Sequence, residues 1–407
     1  MRKIVVIGGG ASGMTAAIAA KTENPKAEVR ILEHKDITGK KLLSTGNGRC
    51  NFTNAFMKGQ CFFSDAPDNI ERVLQKFGTR DTLCFFEDLG IMSKSRNGYY
   101  YPQSDQASAV LRVFQMRLKT LGVLVDTNIH VREIRKSGSG FLIMSDEKTY
   151  EADRIILACG GKAFAVSGSD GSGYGLAKSL GHTMTPVVPA LVQLKVKDHP
   201  LAKASGVRTD ARVCAYESGH FAAEDTGELQ ITGYGISGIP VFQISRHVAK
   251  ALYRGNKAQV RIDFLPFMTG KEFSCFLEKR KAGRETFTMS EFLTGIFNQK
   301  LIPCLLKSAG IWEDTKVQRA GKALWDRLID TCKSLTLGIT DTNGFDNAQV
   351  CAGGIRLDEI NADSMESLCC KHVYLAGEML DVDGICGGYN LQWAWASGYL
   401  AGRNAAK

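Results

Sequence analysis

Short apolar runs that stop at glycine alternate with helix-like stretches early in the chain, and the pattern returns near its end. "RKIVVI" (2–7) is continuous, β-branched and followed by glycines, which predicts a buried parallel strand. "ASGMTAAIAAKT" predicts a helix of small residues, and "EVRILEH" the next strand. A βαβ unit thus closes within about 35 residues. Further strand candidates lie at 123–135 and 141–144, and another, "RIILACGG" (154–161), ends in glycines.

The texture changes after Pro186 and Pro189. "ALVQLKV", "ARVCAYE", "ELQIT" and "AQVRIDFL" read as strands of an antiparallel or barrel-like insert. From 269 to 333 the spacing is helical. "TGKE" (Thr269, Glu272) and "TMSE" (Thr288, Glu291) match the capping box, in which each end of the motif satisfies an orphan amide of the first turn. The expected division is a first domain over 1–190 that resumes over 336–407, a β-rich insert over 191–268 and a helical segment over 269–335.

Composition narrows the class. A chain of 407 residues exceeds one ordinary core. Hydrophobic content of 44% and charged content of 23% belong to a folded soluble protein. No apolar run is long enough to span a bilayer, and "MRKIVVIGGG" enters a strand without a cleavage site, so a cytoplasmic location and no membrane insertion are expected. Twelve cysteines contain no C-x-x-C pair and no histidine cluster accompanies them, which argues against a metal site and for free thiols. The net charge of +9 can steer anionic ligands. No block of five cations and no nucleic-acid motif occurs, so no nucleic-acid partner is expected.

The chemistry concentrates in three stretches. "GGGASG" sets Gly8, Gly10 and Gly13 as G-x-G-x-x-G, with Ala11 and Ser12 opening the helix. Gly8 permits the turn, Gly10 the close approach of a pyrophosphate, and Gly13 the packing of helix on sheet. Glu33 closes the next strand, where a carboxylate can bind ribose hydroxyls, and His34 follows it. The second stretch, "GKKLLSTGNGRCNFTN" (39–54), can be read as a nucleic-acid loop, a reactive-thiol site or the bed of a phosphate-bearing cofactor. The third, "HVYLAGEMLDVDGICGGYNLQWAWASGYLAG", repeats a strand–turn–acid–glycine–helix texture through Gly377, Glu378, Asp381, Gly388 and Asn390. Trp393 and Trp395 on that helix are expected to pack.

These stretches, with "YYYPQSDQASAV", "ACGG" and "GELQITGYGISG", resemble over nearly the whole chain a bacterial and archaeal family of FAD-dependent oxidoreductases. The family is described as aminoacetone-oxidase-like and includes the 3-dehydro-bile-acid 4,6-reductase of gut anaerobes. The resemblance implies an α/β fold. A Rossmann-like FAD-binding domain of glutathione-reductase type is interrupted by the β-rich insert and a small helical domain. It implies non-covalent FAD, with Lys41 near the phosphates and Gly46, Arg49, Cys50 and Asn51 wrapping toward the ring. The Val131 backbone would meet the adenine, Gly160 would cross the cofactor, and Gly377 to Leu391 would close the site. Cys50, without a resolving partner, is expected to be structural.

The implied reaction is reduction, with NAD(P)H, of a carbon–carbon double bond conjugated to a ketone. The substrate would be bulky, apolar and acidic, such as a 3-oxo-4,6-diene bile acid. Two alternatives stay open: an amine oxidase producing peroxide, and an FAD-dependent protein acting on tRNA. No catalytic residue is named by the sequence.

Overall fold

The run that opens the chain becomes the strand Lys3–Ile7, central in a five-stranded parallel sheet. The computed structural model describes residues 1–407. The strand order is Val373–Leu375, Arg154–Leu157, Lys3–Ile7, Glu28–Leu32, Leu124–Asp126. Val6 pairs with Ile156 on one side and Ile31 on the other, and all three are fully buried. Burial on both faces explains why these strands read as unbroken apolar runs.

The first helix, Ala11–Glu23, is buried from Ser12 to Ala20. Its second neighbour is the last helix, Tyr389–Ala406. A Cβ on Gly398 would lie 2.4 Å from the Ser12 carbonyl oxygen, and one on Gly402 2.0 Å from that of Ala16. The two backbones touch, and only glycine allows it.

Strand and sheet with these helices form one unit, Met1–Val187 with Gln349–Lys407. The expected strand over 123–135 is two, Leu124–Asp126 and Val131–Ser137, because Asn128 at φ 58° turns the chain between them. The three tyrosines of "NGYYYPQ" (97–103) follow a hairpin turn. Asn97 and Gly98, at φ 53° and 87°, make the turn, and the tyrosines ride the returning strand Tyr99–Pro102.

The second unit, Val188–Ala348, is built on a closed six-stranded antiparallel barrel. The expected break at 336 falls instead at 349, since the strand Leu335–Thr342 pairs with both Leu194–Val196 and Ala258–Asp263 and closes the barrel. A helix, Ile239–Tyr253, interrupts the stretch read as strands. The helices after 269 share one apolar core with the barrel, joining Val260 and Ile262 to Phe292, Leu305 and Leu328. Both capping boxes form: Thr269 Oγ1 accepts from the Glu272 N–H at 3.2 Å, and Thr288 Oγ1 from that of Glu291 at 3.2 Å. No helix is long and apolar enough to cross a membrane.

Candidate functional site

The turn after the first strand is set by close packing. A Cβ on Gly13 would fall 1.9 Å from the Gly8 carbonyl oxygen, so the helix meets the strand end only as glycine. At Gly10 the opposite holds: a Cβ would meet nothing within 4 Å. Gly10 caps the first helix with no side-chain hydrogen bond, so the N–H groups of Ala11 and Ser12 open onto space that a phosphate can fill. Glu33, 7% exposed, accepts from the Gly9 N–H at 2.7 Å and from the Lys35 N–H at 2.8 Å. Its carboxylate therefore stands at the lip of the turn. His34 lies beside it, Nδ1 3.4 Å from Glu33 Oε1, with a buried Nε2 that has no hydrogen-bond partner.

The glycine-rich loop is exposed from Leu43 to Arg49, apart from a half-buried Thr45, and then dives into the core at Cys50. Cys50 is fully buried at φ 59°, and burial pushes its thiol up to about 12 against an opposing hydrogen bond with Thr45. It is a protonated, structural thiol at neutral pH; the Arg49 beside it does not activate it. Lys41 does not stand open to a phosphate. Its ammonium binds Glu378 at 2.7 Å and the Ala163 carbonyl at 3.1 Å. Arg49 turns outward, its guanidinium 5.9 Å from the Tyr101 ring centroid.

The return segment meets both. Ser12 Oγ packs where a Cβ on Gly377 would lie, at 2.4 Å. Glu378 takes Lys41 on one oxygen and the Cys351 N–H on the other at 3.0 Å. With its amide turned to the orientation its neighbours satisfy, Asn51 donates to the Thr53 and Tyr100 carbonyls at 3.0 Å and accepts from the Gly388 N–H at 3.3 Å. Ser12 to Gly377, Lys41 to Glu378 and Asn51 to Gly388 thus sew the three stretches into one seam. Gly388, at φ 92°, caps the last helix without a side-chain bond, so a second helix N-terminus is left uncapped. Asn390 fixes the approach by bonding both the N–H and the carbonyl of Gly384 at 2.8 Å. Asp381 is 1% exposed and accepts from the Asp65 N–H at 3.4 Å.

Other expected residues lie off the seam. Leu391 packs on the apolar core, Val131 is buried at the start of its strand, and Gly160, at φ 74°, turns the chain against Ser169. Sequence reasoning missed the polar lock under the last helix. Gln392, fully buried, accepts from Thr53 Oγ1 at 2.6 Å and Thr82 Oγ1 at 2.8 Å and donates to the Phe77 carbonyl at 3.0 Å. The signal was one amide set between Leu391 and Trp393 on an apolar helix. Trp395 is packed as expected, 5.6 Å from the Phe114 ring.

A dinucleotide fits these residues: two helix ends without side-chain caps, an open cradle at Gly10, and a carboxylate where a ribose would lie, with an imidazole beside it that sits 3.8 Å from Asp170 and has a ring nitrogen without a hydrogen bond. The model of the HI0933-like protein Rossmann domain matches residues 2–404. The chain is 55% identical over 411 residues to the 3-dehydro-bile acid delta(4,6)-reductase of Clostridium scindens, covering 100% of both. It is 25% identical to the ribosomal RNA dihydrouridine synthase of Escherichia coli, covering 98% of this chain and 97% of that one. Among solved structures, 3-ketosteroid delta1-dehydrogenase from Sterolibacterium denitrificans aligns over 100% of both chains at TM-score 0.52 and 11% identity, a likeness of fold alone.

Proposed function

A chain matched from residue 2 to residue 404 belongs to the HI0933-like Rossmann family, and on that premise we propose that it is an FAD-dependent oxidoreductase. Its reaction is the reduction of a carbon–carbon double bond conjugated to a ketone in a bile-acid-like steroid, with NAD(P)H as donor. The observation that carries the reading is 55% identity, end to end, with a bile acid reductase.

The site's own residues support it. The open N-terminus of the first helix receives the pyrophosphate and Glu33 the adenosine ribose. The uncapped end of the last helix offers partial positive charge, suited to the electron-rich edge of a flavin. Bound FAD supplies hydride transfer in this scheme. Cys50, buried and protonated, is suited neither to tether the cofactor nor to carry electrons, and denatured protein is expected to release its FAD into solution.

The test is a stopped-flow experiment on the purified protein without oxygen. NAD(P)H is expected to bleach the flavin, and a 3-oxo-4-ene or 3-oxo-4,6-diene bile acid to restore its colour faster than oxygen does. Fast reoxidation by oxygen and none by any enone replaces this reading with an amine oxidase. A second reading, formation of dihydrouridine in ribosomal RNA, is favoured by the 25% identity to such a synthase and by the charge of +9. Salt-sensitive RNA binding is its signature.

A further inference from the structure

The strand Tyr99–Pro102 sends its side chains alternately to two faces. Tyr100 packs on the apolar core and Pro102 is buried, which leaves Tyr99 and Tyr101 on the open face. Tyr101 has two guanidiniums over its ring, Arg49 at 5.9 Å and Arg96 at 5.8 Å from the centroid. Lys94 stands with them, bound to Asp105 at 2.5 Å, and Arg96 shares the same Asp105 oxygen at 2.6 Å. Arg49 has no carboxylate partner; its one polar contact is a 3.4 Å bond from Nε to the Gly46 carbonyl. Two exposed guanidiniums therefore flank one half-buried ring, and the single carboxylate beside them, Asp105, already serves Lys94 and Arg96.

This cluster is tied to the glycine-rich loop. The Phe52 N–H donates to the Tyr100 carbonyl at 3.0 Å, and the Ala107 N–H to the Gly48 carbonyl at 2.7 Å. One strand repeat away, about 7 Å along the backbone, Tyr99 lies against Gly387, where an added Cβ would sit 2.7 Å from its ring. The cationic group thus borders both the loop and the glycine turn that starts the last helix.

We propose that Arg49, Arg96 and Tyr101 form an anion-recognition subsite for a substrate of the flavin. The inference rests on the reading of residues 46–51 as a flavin bed. Arg49 carries a fork with no carboxylate on it, able to grip a carboxylate or phosphate through two parallel hydrogen bonds, while Arg96 can share its own between Asp105 and an incoming anion. Like charges gathered at one ring repel until an anion joins them, so the surplus on Arg49 favours an anionic group over a neutral one. Two sources share that chemistry: the acidic side chain of a steroid acceptor and the 2′-phosphate of NADPH.

Equilibrium titration followed by tryptophan fluorescence decides it, without any turnover. The probes are 3-oxo-4-cholenoic acid against its methyl ester, and NADP⁺ against NAD⁺, on wild type and on Arg49→Gln, Arg96→Gln and the double variant. The double variant is expected to lose about tenfold in the acid-to-ester or the NADP⁺-to-NAD⁺ affinity ratio, the scale of a charge-assisted hydrogen bond. Loss in the first ratio assigns the anion to the acceptor, and loss in the second to the donor. Both ratios staying within twofold of wild type, even where absolute affinities fall, overturns the subsite. A protein that reduces no enone fails the proposed reaction, while these ratios still decide the anion site.

Discussion

Glu33 holds the first turn through its side chain and, on the proposed reading, serves the ligand as well. It already accepts two backbone N–H groups, from Gly9 and Lys35, and keeps lone pairs over for a ribose. Glu33→Ala is expected to weaken FAD binding by about 1.5–3 kcal/mol, read by titrating apo-protein with FAD; an unchanged dissociation constant removes Glu33 from the site. Cys50 and Cys351 bear on alkaline stability. Burial raises both thiols to about 12. The folded state then keeps protons that the unfolded state releases above its ordinary value of 9.0. The unfolded chain binds fewer protons there, so stability falls as pH rises through that window and is unaffected below it. Denaturant midpoints at pH 8 and pH 10.5 check this, and Cys50→Ser should shrink the difference. The same substitution is expected to leave turnover within about tenfold of wild type, since a lone protonated thiol shuttles no electrons.

At the scale of elements, the sequence was most legible where one periodicity governs one environment. The first βαβ unit and both capping boxes follow from local spacing and appear in place. The helix Ile239–Tyr253 was hidden among strands, although Pro240 in its first turn and buried Val241, Ile244 and Val248 carry helical spacing. Between β-rich neighbours, a short apolar run does not declare its period. Glu33 and the glycines were readable because a turn fixes them within a few residues. Lys41 and Glu378 are 337 positions apart, and no local rule pairs them. The contact of the first and last helices is likewise long-range, and it is testable. Gly402→Val places a branched side chain against the Ala16 carbonyl and is expected to destabilise by about 2 kcal/mol or more, seen as a lowered melting temperature with FAD at saturation. Thr269→Ala, which removes a cap, should cost about 1 kcal/mol and leave FAD affinity alone.

The whole molecule is one continuous unit set inside a discontinuous one. Val188–Ala348 is a single segment with its own barrel and apolar core. Expressed alone, it is expected to fold and to melt cooperatively, measured by circular dichroism, without binding FAD. A non-cooperative melt would show that its core depends on the remainder of the chain.

The seam that joins the chain's two ends also sets a timetable for its synthesis. The strand Val373–Leu375 and the helix Tyr389–Ala406 leave the ribosome only after the barrel, yet the first helix packs against that helix at Ser12 and Ala16. The amino-terminal segment therefore emerges with its apolar face unmatched and waits through the whole translation of the barrel. At about 5–20 residues per second, that interval lasts on the order of tens of seconds. During it, the nascent chain exposes the surface that holdase chaperones recognise. Cofactor loading is consequently expected to follow translation of this helix, and a truncation that removes only it should yield a chaperone-bound, colourless product in place of one that binds FAD weakly.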